Sequence, residues 1–383
     1  MNYPIKKIKT NSGTFYYDNL IGKNFFLTGE DDISQNEAYY LLKENQIKST
    51  KELIRNIRIV TTYDCNIKCS YCWQTALRKN SKKEQSFINS EIVQNIIELV
   101  NSDYTVNNEA IQIRLTGGEP FLLKELFHFI NEISTKTKKE THFIVNTNGT
   151  LPIEVSNINN LDNFLFYISI DDYRNRHRLN DKESFYWDKI VQNLQLLKEK
   201  KINVGFSSVI NECKKQDFID LISLAQEYSI SKVSISLPRV INSHIEKIDT
   251  IEIVERLEFL YHSLFEKKIA VSGDWFRPVY NLICGKTGFC SGFNDEIAIH
   301  PNGSISNCDS QPTTNSNIKN KAEVESLINN RIKYKTHDDC KECNIYPYCK
   351  GGCYANIYNE KRCDIYRTFF NRFIKKNAEL IFA

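Results

Sequence analysis

The sequence predicts an α/β fold around a parallel sheet, because strand-like and helix-like stretches alternate over residues 57–237. The strand candidates are short runs rich in β-branched and aromatic residues. The segments between them repeat apolar residues at three- and four-residue spacing, which indicates amphipathic helices. Six strands are two fewer than a closed eight-stranded barrel contains. Strands are predicted at residues 57–61, 111–115, 141–146, 165–170, 203–210 and 232–237, and helices at 89–101, 124–136, 187–200 and 216–228.

Residues 1–56 precede this alternating region and are predicted to form a small separate element. Residues 14–18 and 24–28 have the composition of two strands that pair with each other. Residues 35–44 are predicted to form a short helix. The simplest role for such an element is a strap that packs against the larger domain.

Composition and charge exclude several classes of protein. The chain has 383 residues and is 41% hydrophobic, which is enough for a large core in two or three domains. Its formal net charge of +3 gives no reason to expect a nucleic-acid partner. The polar N-terminus has no signal-peptide core, and no stretch approaches the roughly 20 apolar residues of a membrane helix. We therefore expect a cytoplasmic protein without a membrane partner.

The cysteines predict metal binding, since twelve thiols in a reducing compartment are not expected to form disulfides. Cys65, Cys69 and Cys72 lie within eight residues, shortly after the first predicted strand. An iron–sulfur cube is normally held by four cysteine thiolates. Three thiolates leave one iron open, much as a catalytic zinc ion keeps one position free. A zinc site or a structural cysteine cluster is the alternative.

The C-x3-C-x2-C spacing, with Tyr71 before the last cysteine, resembles the radical S-adenosylmethionine (SAM) family. The resemblance implies a partial (β/α)6 TIM-like barrel, which agrees with the count of six strands. It also implies that Cys65, Cys69 and Cys72 hold a [4Fe-4S] cluster whose open iron binds SAM. Reductive cleavage of SAM in this family yields a 5′-deoxyadenosyl radical, a type of chemistry that proteins leave to cofactors.

The predicted motifs fall at the carboxyl ends of the predicted strands, where barrels of this kind carry their active sites. The sequence Thr-Gly-Gly-Glu-Pro at 116–120 follows the second strand. Glycine lets the backbone approach a ligand closely, and a Glu carboxylate can accept a hydrogen bond from an ammonium group. In the radical SAM family this segment contacts the amino group of SAM. The resemblance implies SAM contacts by Tyr71, Thr116, Gly117, Gly118, Glu119 and Ser169.

One segment departs from the family pattern. In sulfatase-maturating relatives, the serine that matches Ser169 is usually followed by Asp-Gly, then by His-Asp, and then by an Arg three positions after that Asp. Here Arg178 follows His177, and Asp181 occupies the place of that Arg. Two interpretations stay open: Arg176 or Arg178 supplies the missing charge, or residues 174–178 form a solvent-facing basic turn.

The C-terminal cysteines form a second array between residues 284 and 363. Their spacing resembles the SPASM domain, an extension of radical SAM enzymes that holds two auxiliary [4Fe-4S] clusters. Eight cysteines are the number that two fully ligated cubes need. A zinc ribbon is the alternative, because C-x2-C is its common half-site. The resemblance assigns Cys284, Cys290, Cys308 and Cys353 to the first auxiliary cluster and Cys340, Cys343, Cys349 and Cys363 to the second.

Together these features predict a radical SAM/SPASM enzyme that abstracts a hydrogen atom from a peptide or protein side chain. The resemblance implies three domains, at residues 1–56, 57–270 and 271–383. It also implies a one-electron reductant such as flavodoxin or ferredoxin. Many peptide-modifying relatives bind the leader of a precursor peptide with an N-terminal module, by adding it as a strand to a sheet edge. We expect a maturase of a ribosomally made precursor peptide that forms a side-chain cross-link or a related oxidative modification.

Two alternatives stay open. The first is an anaerobic sulfatase-maturating enzyme that makes formylglycine. In such relatives an Asp after the third cysteine of the array is proposed as the base, and Asp309 follows Cys308 here. An Asp that only caps a turn is the simpler interpretation of this residue. The second alternative is a non-catalytic iron–sulfur electron carrier or scaffold.

Overall fold

The computed structural model confirms the α/β architecture and the partial barrel. It describes residues 5–9, 13–18, 24–28, 53–74, 87–176, 178–179, 185–239, 243–284, 290, 295–310, 316–330, 337–340, 342–353 and 359–382. Within these ranges the strands form a three-stranded antiparallel sheet and a nine-stranded, mainly parallel sheet. The helix predicted at residues 35–44 lies outside the described residues.

The strands follow the predicted positions closely, with bounds that differ by at most two residues. All six strands predicted between residues 57 and 237 are present, as are the two in the N-terminal element. The strands are β1 (Ile5–Lys9), β2 (Gly13–Asp18), β3 (Asn24–Thr28), β4 (Asn56–Thr62), β5 (Ile111–Gly117), β6 (Thr141–Thr147), β7 (Phe164–Ser169), β8 (Asn203–Val209), β9 (Lys232–Ser236), β10 (Ala270–Gly273), β11 (Glu296–Ile299) and β12 (Ile305–Ser306).

The four predicted helices are also present and cover the outer face of the parallel sheet. None of the described helices combines the length and apolarity needed to span a bilayer. The helices are α1 (Ser90–Asn101), α2 (Leu126–Lys136), α3 (Tyr186–Glu199), α4 (Lys215–Glu227), α5 (Ser243–Lys247), α6 (Thr250–Glu266), α7 (Arg277–Ile283), α8 (Lys321–Asn329), α9 (Tyr346–Cys349) and α10 (Glu360–Phe382).

The large sheet has the strand order β10-β9-β8-β7-β6-β5-β4-β11-β12. Its strands from β10 to β11 are parallel, and only the β11–β12 pair is antiparallel. The sequence did not predict β10, β11 or β12, which have four residues or fewer. Strand β10 begins at residue 270, so the domain limit predicted there falls within this strand. Strand β11 pairs with β4 on the other side of the sheet, although it belongs to the predicted C-terminal domain. The domain limits at 56 and 270 stay a prediction.

Alternation along the strands separates an apolar outer face from a polar inner face. On β4 and β5, Ile57, Ile59 and Ile113 are buried in the core beneath the helices. Arg58 and Arg114 occupy the intervening positions and point to the inside of the barrel. The carboxyl ends of β4 to β7 meet at one edge of the sheet, which brings the predicted motifs together.

Helix α10 fastens the C-terminal region to the barrel. The ring of Phe369 packs edge-on against Trp275, with centroids 4.6 Å apart. Arg362 donates a 3.1 Å hydrogen bond to Asp274, just after β10, and further bonds to the carbonyls of Pro238 and Arg239, just after β9. One buried arginine therefore connects this helix to the carboxyl ends of two barrel strands.

Candidate active site

The cysteine loop begins directly after β4 and brings three thiols together. The backbone N–H of Cys72 donates to the carbonyl of Cys69 at 3.2 Å, and the side-chain amide of Asn148 donates to the Cys65 sulfur at 3.6 Å. Burial raises the pKa of Cys69 to about 11; Arg178 lowers this pKa, and Asp171 and the thiolates of Cys72 and Cys65 contribute to raising it. Crowded thiols of this kind favour a cationic iron–sulfur cluster, which would offset their mutual repulsion.

The glycine turn after β5 lies directly against the backbone that leads into the cysteine loop. Gly118 and Glu119 donate backbone hydrogen bonds of 2.7 Å to the carbonyls of Thr62 and Asp64. A Cβ atom on Gly118 would lie 1.8 Å from the Asp64 carbonyl oxygen, and one on Gly117 would lie 2.2 Å from that of Thr62. Gly117 also has a φ of +143°, which favours glycine. The sequence predicted that the glycines let the backbone approach a ligand. The structure shows in addition that they pack against the backbone at Thr62 and Asp64.

Glu119 is fully buried and joins the glycine turn to the end of β6. Its carboxylate accepts hydrogen bonds of 2.7 Å from the Thr147 hydroxyl, 2.7 Å from the Asn148 N–H and 3.1 Å from the Phe121 N–H. Burial raises its pKa to about 7, against the lowering effect of these three donors. Asn148 in turn contacts Cys65, so Glu119 is one residue removed from the cysteine loop.

A tyrosine, an aspartate and an arginine form a second buried group beside the cysteines. The Tyr71 hydroxyl and the Arg178 guanidinium both donate to the Asp171 carboxylate, the latter at 2.9 Å. The guanidinium also lies 5.5 Å from the centre of the Tyr71 ring. After burial, Arg178 has the next largest effect on the pKa of Cys69, which it lowers. The side chain of Arg176 is 62% exposed and pairs with the buried carboxylates of Asp172 and Asp217.

Arg178 and Arg176 have different surroundings in this segment. Arg178 lies beside Tyr71 and within electrostatic reach of Cys69, whereas Arg174 and Arg176 are exposed. That one of these arginines supplies the missing charge stays a prediction. His177 and Asp181 lie outside the described residues. The Arg178 Nε is buried and has no hydrogen-bond partner among the described residues.

The other predicted SAM contacts lie at the same edge of the sheet. Thr116 and Ser169 are half-buried near the ends of β5 and β7, and their carbonyls accept hydrogen bonds from the side chains of Thr61 and Asn175, respectively. Between them, near the end of β6, the side-chain oxygen of Asn146 is buried without a partner in the described part of the chain. An unpaired acceptor there and the unpaired Arg178 Nε fit a ligand such as SAM, which carries both donors and acceptors.

The C-terminal cysteines other than Cys284 and Cys290 lie within electrostatic reach of one another in two sets, and the assignment of all eight to two clusters stays a prediction. The charges of Cys340 and Cys343 reach both Cys349 and Cys363, and burial raises the pKa of Cys363 to about 11. The pKa of Cys308 is raised mainly by burial and then by the charge of Asp309. Cys353 is close enough to raise this pKa as well. Within the described ranges, no three His, Cys, Asp or Glu side chains converge closely enough to hold one metal ion. Cys284 is exposed beside Tyr280, and Cys290 lies within electrostatic reach of Arg58.

Asp309 is buried inside the barrel and is paired with an arginine. Its carboxylate accepts a 3.1 Å hydrogen bond from Arg58, and Arg58 bonds Glu296 at 3.1 Å on its other side. Burial favours the protonated acid, yet the charges of Arg58 and Arg239 hold the pKa of Asp309 below its ordinary value. The interpretation of Asp309 as a simple turn cap is therefore incomplete, because the residue is one end of a buried ion pair.

A histidine that the sequence did not single out lies near this pair. The Tyr63 hydroxyl is 2.7 Å from His300 Nδ1, and His300 Nε2 is 2.8 Å from the Ser306 hydroxyl. Burial lowers the pKa of His300 to about 4, so the ring is neutral at physiological pH. Tyr63 lies directly after β4 and His300 directly after β11, a pairing with no local sequence signal.

Comparisons with known proteins identify radical SAM proteins as relatives of this chain. Residues 59–225 match the sequence model of the Radical SAM superfamily. The radical SAM cyclopropyl synthase TigE of Paramaledivibacter caminithermalis is 25% identical over 94% of this chain and 82% of its own length. The cysteine-type anaerobic sulfatase-maturating enzyme of Clostridium novyi is 24% identical over 82% of this chain and 93% of its own length.

Two groups of solved structures share the fold. The chain anSMEcpe, solved with AdoMet and a peptide bound, has a TM-score of 0.68 at 20% identity and covers 85% of this chain and 98% of its own. SuiB of Streptococcus suis, solved with the precursor peptide SuiA, has a TM-score of 0.57 at 14% identity and covers 92% and 94%. The chain is therefore an enzyme with a radical SAM domain at residues 59–225, followed by a cysteine-rich C-terminal region.

Proposed function

We propose that the chain is a maturase of a ribosomally made precursor peptide, acting by hydrogen abstraction from a peptide or protein side chain. Support comes mainly from the meeting of the cysteine loop, the glycine turn and the Tyr71–Asp171–Arg178 group at one edge of the sheet. TigE, named as a cyclopropyl synthase, and the sulfatase-maturating enzymes are similar over most of this chain. SAM bound at a reduced cluster supplies a 5′-deoxyadenosyl radical in this family.

The residues of this chain have three roles in the proposal. The thiolates of Cys65, Cys69 and Cys72 hold the first [4Fe-4S] cluster and leave one iron for SAM. In the part of the chain that the structure describes, the Arg178 Nε and the Asn146 side-chain oxygen are buried without a partner, and the proposal places them beside SAM as a donor and an acceptor. The SAM-contacting residues in the proposal are Tyr71, Thr116, Gly117, Gly118, Glu119 and Ser169.

The eight C-terminal cysteines hold two auxiliary [4Fe-4S] clusters in the proposal, which makes three clusters in total. Full ligation leaves these clusters no open iron, so we assign them to electron transfer from the substrate radical. A flavodoxin or ferredoxin supplies the electron that starts the reaction. One auxiliary cluster is held by Cys284, Cys290, Cys308 and Cys353, and the other by Cys340, Cys343, Cys349 and Cys363.

The N-terminal sheet is the proposed binding site for part of the substrate peptide. Strands β1 and β3 are its two edges, and an extended peptide can add to such an edge as a further strand. The structural neighbour SuiB has been solved with a precursor peptide, which supports a peptide partner for this fold. Residues 1–56, 57–270 and 271–383 are the three proposed domains.

The experiment that tests the proposal uses protein purified without oxygen. We expect about twelve irons per chain, four for each of three cubes. We also expect release of 5′-deoxyadenosine when SAM and dithionite are added. Zinc in place of iron, with SAM left intact, would contradict the proposal and favour a structural cysteine protein.

Glu119 is expected to make SAM binding depend on pH. Its pKa of about 7 means that the carboxylate, which attracts the SAM ammonium group, forms as the pH rises through neutrality. SAM affinity should therefore increase about tenfold between about pH 6 and pH 8 and then level off. Titration calorimetry across this range measures the effect. In Glu119→Gln the affinity should be lower and independent of pH, with the iron content unchanged; a slope that persists removes Glu119 from the SAM site.

A second candidate function is formylglycine formation, and the position of Asp309 favours it. A base must be deprotonated to work, and Arg58 keeps the pKa of Asp309 low. Asp309 should then stay deprotonated between about pH 8 and pH 6, so the yield of formylglycine from a synthetic cysteine peptide should not fall over this range because of Asp309. In Arg58→Gln the pKa of Asp309 rises through burial, so the yield should fall at the acid end.

Arg55→Gln is the matched control for this experiment. Arg55 is exposed and pairs with Glu109 at the surface, so its loss should leave the pH profile unchanged. Mass spectrometry of the peptide measures the aldehyde. No aldehyde at any pH from protein that releases 5′-deoxyadenosine excludes the second candidate and leaves the first.

A further inference from the structure

Two arginines lie side by side on the inner face of the barrel. Arg58 on β4 and Arg114 on β5 are register partners on adjacent strands. Their side chains therefore leave the sheet on the same face and close together. Like charges in neighbouring positions of a sheet repel each other, so each arginine needs an anionic partner to offset the repulsion.

Only one of the two has such a partner. Arg58 bonds both Glu296 and Asp309 at 3.1 Å. The Arg114 guanidinium makes no hydrogen bond or ion pair with another described residue. The pKa of Arg114 is lowered first by burial and then by the charge of Arg58. The charges of Glu296 and Asp309 raise this pKa, but without a direct contact to Arg114 among the described residues.

Further cations surround Arg114 inside the barrel. Lys232, at the start of β9, has a pKa lowered first by burial, then by Arg114 and then by Arg277. Tyr167 on β7 also lies within electrostatic reach of Arg114 and is neutral, because burial raises its pKa. With the two acids bonded to Arg58, the space beside Arg114 carries an excess of positive charge.

The position of Arg114 suits a substrate group. It lies two residues before Thr116, which places it about 7 Å below the strand end that carries the proposed SAM contacts. Its register partner on the other side is the buried Ile144. Charge pairs are stronger in such an apolar setting than in water. Arg114 is half-buried, and a cation removed from water without an anionic partner is costly.

We propose that Arg114 is an anion-binding residue of the substrate site, and that it binds a carboxylate of the peptide inside the barrel. The carboxylate belongs either to an acidic side chain or to the C-terminus. This inference rests on the proposed function, because it assigns a substrate class to the same site. It predicts that the modified segment of the precursor is acidic, or that the enzyme acts close to the end of its peptide.

The test measures binding of three small probes to anaerobically purified protein loaded with SAM. N-acetyl-aspartate α-amide carries a side-chain carboxylate, N-acetyl-glycine carries a terminal carboxylate, and N-acetyl-asparagine α-amide is neutral. At least one carboxylate should bind about tenfold more tightly than the neutral probe, the effect of one charged hydrogen bond. The carboxylate that is preferred identifies its source. Titration calorimetry gives the dissociation constants.

The variants separate a binding role from a structural one. Arg114→Gln should abolish the preference for carboxylates, Arg114→Lys should keep part of it, and the surface control Arg55→Gln should keep all of it. The melting temperature of Arg114→Gln should equal or exceed that of the wild type, because an unpaired cation beside Arg58 is removed. A lower melting temperature, or a preference that survives in Arg114→Gln, overturns the proposal.

The same preparation separates this inference from the proposed function. Release of 5′-deoxyadenosine is measured with SAM and dithionite in the absence of any probe. Release without a preference for carboxylates overturns the anion site and leaves the radical chemistry. A preference without release supports the anion site and overturns the radical chemistry.

Discussion

Replacing Cys65, Cys69 and Cys72 together by alanine is expected to abolish the release of 5′-deoxyadenosine completely. The three thiols lie at the end of β4 and are close enough to raise the pKa of Cys69. Without them no iron is available for SAM, while the C-terminal cysteines keep their own clusters. Iron analysis should therefore fall from about twelve to about eight irons per chain. Iron determination and chromatography of the nucleoside products measure both effects.

Cys213→Ala is the matched control for the triple variant. Cys213 is buried just before α4. It is the one cysteine that belongs neither to the loop at residues 65–72 nor to the array at residues 284–363. Its replacement should change neither the iron content nor the release of 5′-deoxyadenosine. Twelve irons in the triple variant would show that the N-terminal cysteines hold no cluster and would remove the basis of the proposed function.

Cys353→Ala and Cys363→Ala are expected to damage different clusters, although the two residues follow each other closely in the sequence. Cys353 lies near Cys308, whereas Cys363 lies near Cys340 and Cys349. The electron paramagnetic resonance spectrum of the reduced protein should therefore lose the same signal in Cys353→Ala and in Cys308→Ala. Cys363→Ala should remove the other auxiliary signal.

The second auxiliary cluster is also expected to stabilise the C-terminal region. Cys340 and Cys349 are buried, and Tyr348 stacks on Phe370 of α10 with ring centroids 5.8 Å apart. Cys363→Ala should therefore lower the melting temperature by several degrees, because loss of a metal centre removes folding free energy.

The resonance spectra can also contradict the cluster assignment. If Cys353→Ala removes the same signal as Cys363→Ala, the assignment of Cys353 and Cys363 to different clusters is wrong.

Much of the barrel could be predicted from the sequence because its signals are local. The runs that form β4 to β9 are five to seven residues long and carry β-branched and aromatic residues. Strands β10 and β11 have four residues each, too few for a periodic pattern. The pairing of β11 with β4 joins residues far apart in the chain, and nothing in either segment specifies the other.

The site divides in the same way. Clustered cysteines and the glycine turn are local patterns, and both were found in the sequence. The Arg58–Asp309 ion pair and the Tyr63–His300 contact each join the start of the barrel to the C-terminal region. One signal for the inner face was available: Arg114 places a charge on the polar face of a strand in a parallel sheet, where both faces are normally covered, and such a charge usually has a function or a partner.

The β11–β4 pairing also determines when the enzyme can be completed in the cell. Strand β4 carries the cysteine loop at its end, yet Glu296–Ile299 covers its open edge along Asn56–Ile59. Ribosomes add about 5–20 residues per second, so the interval between synthesis of the two strands lasts roughly ten seconds or more. An unpaired strand edge invites association with other chains during that interval. Cluster assembly machinery therefore meets a finished sheet only after synthesis has passed β11, and a nascent chain that stalls earlier is a natural substrate for chaperones.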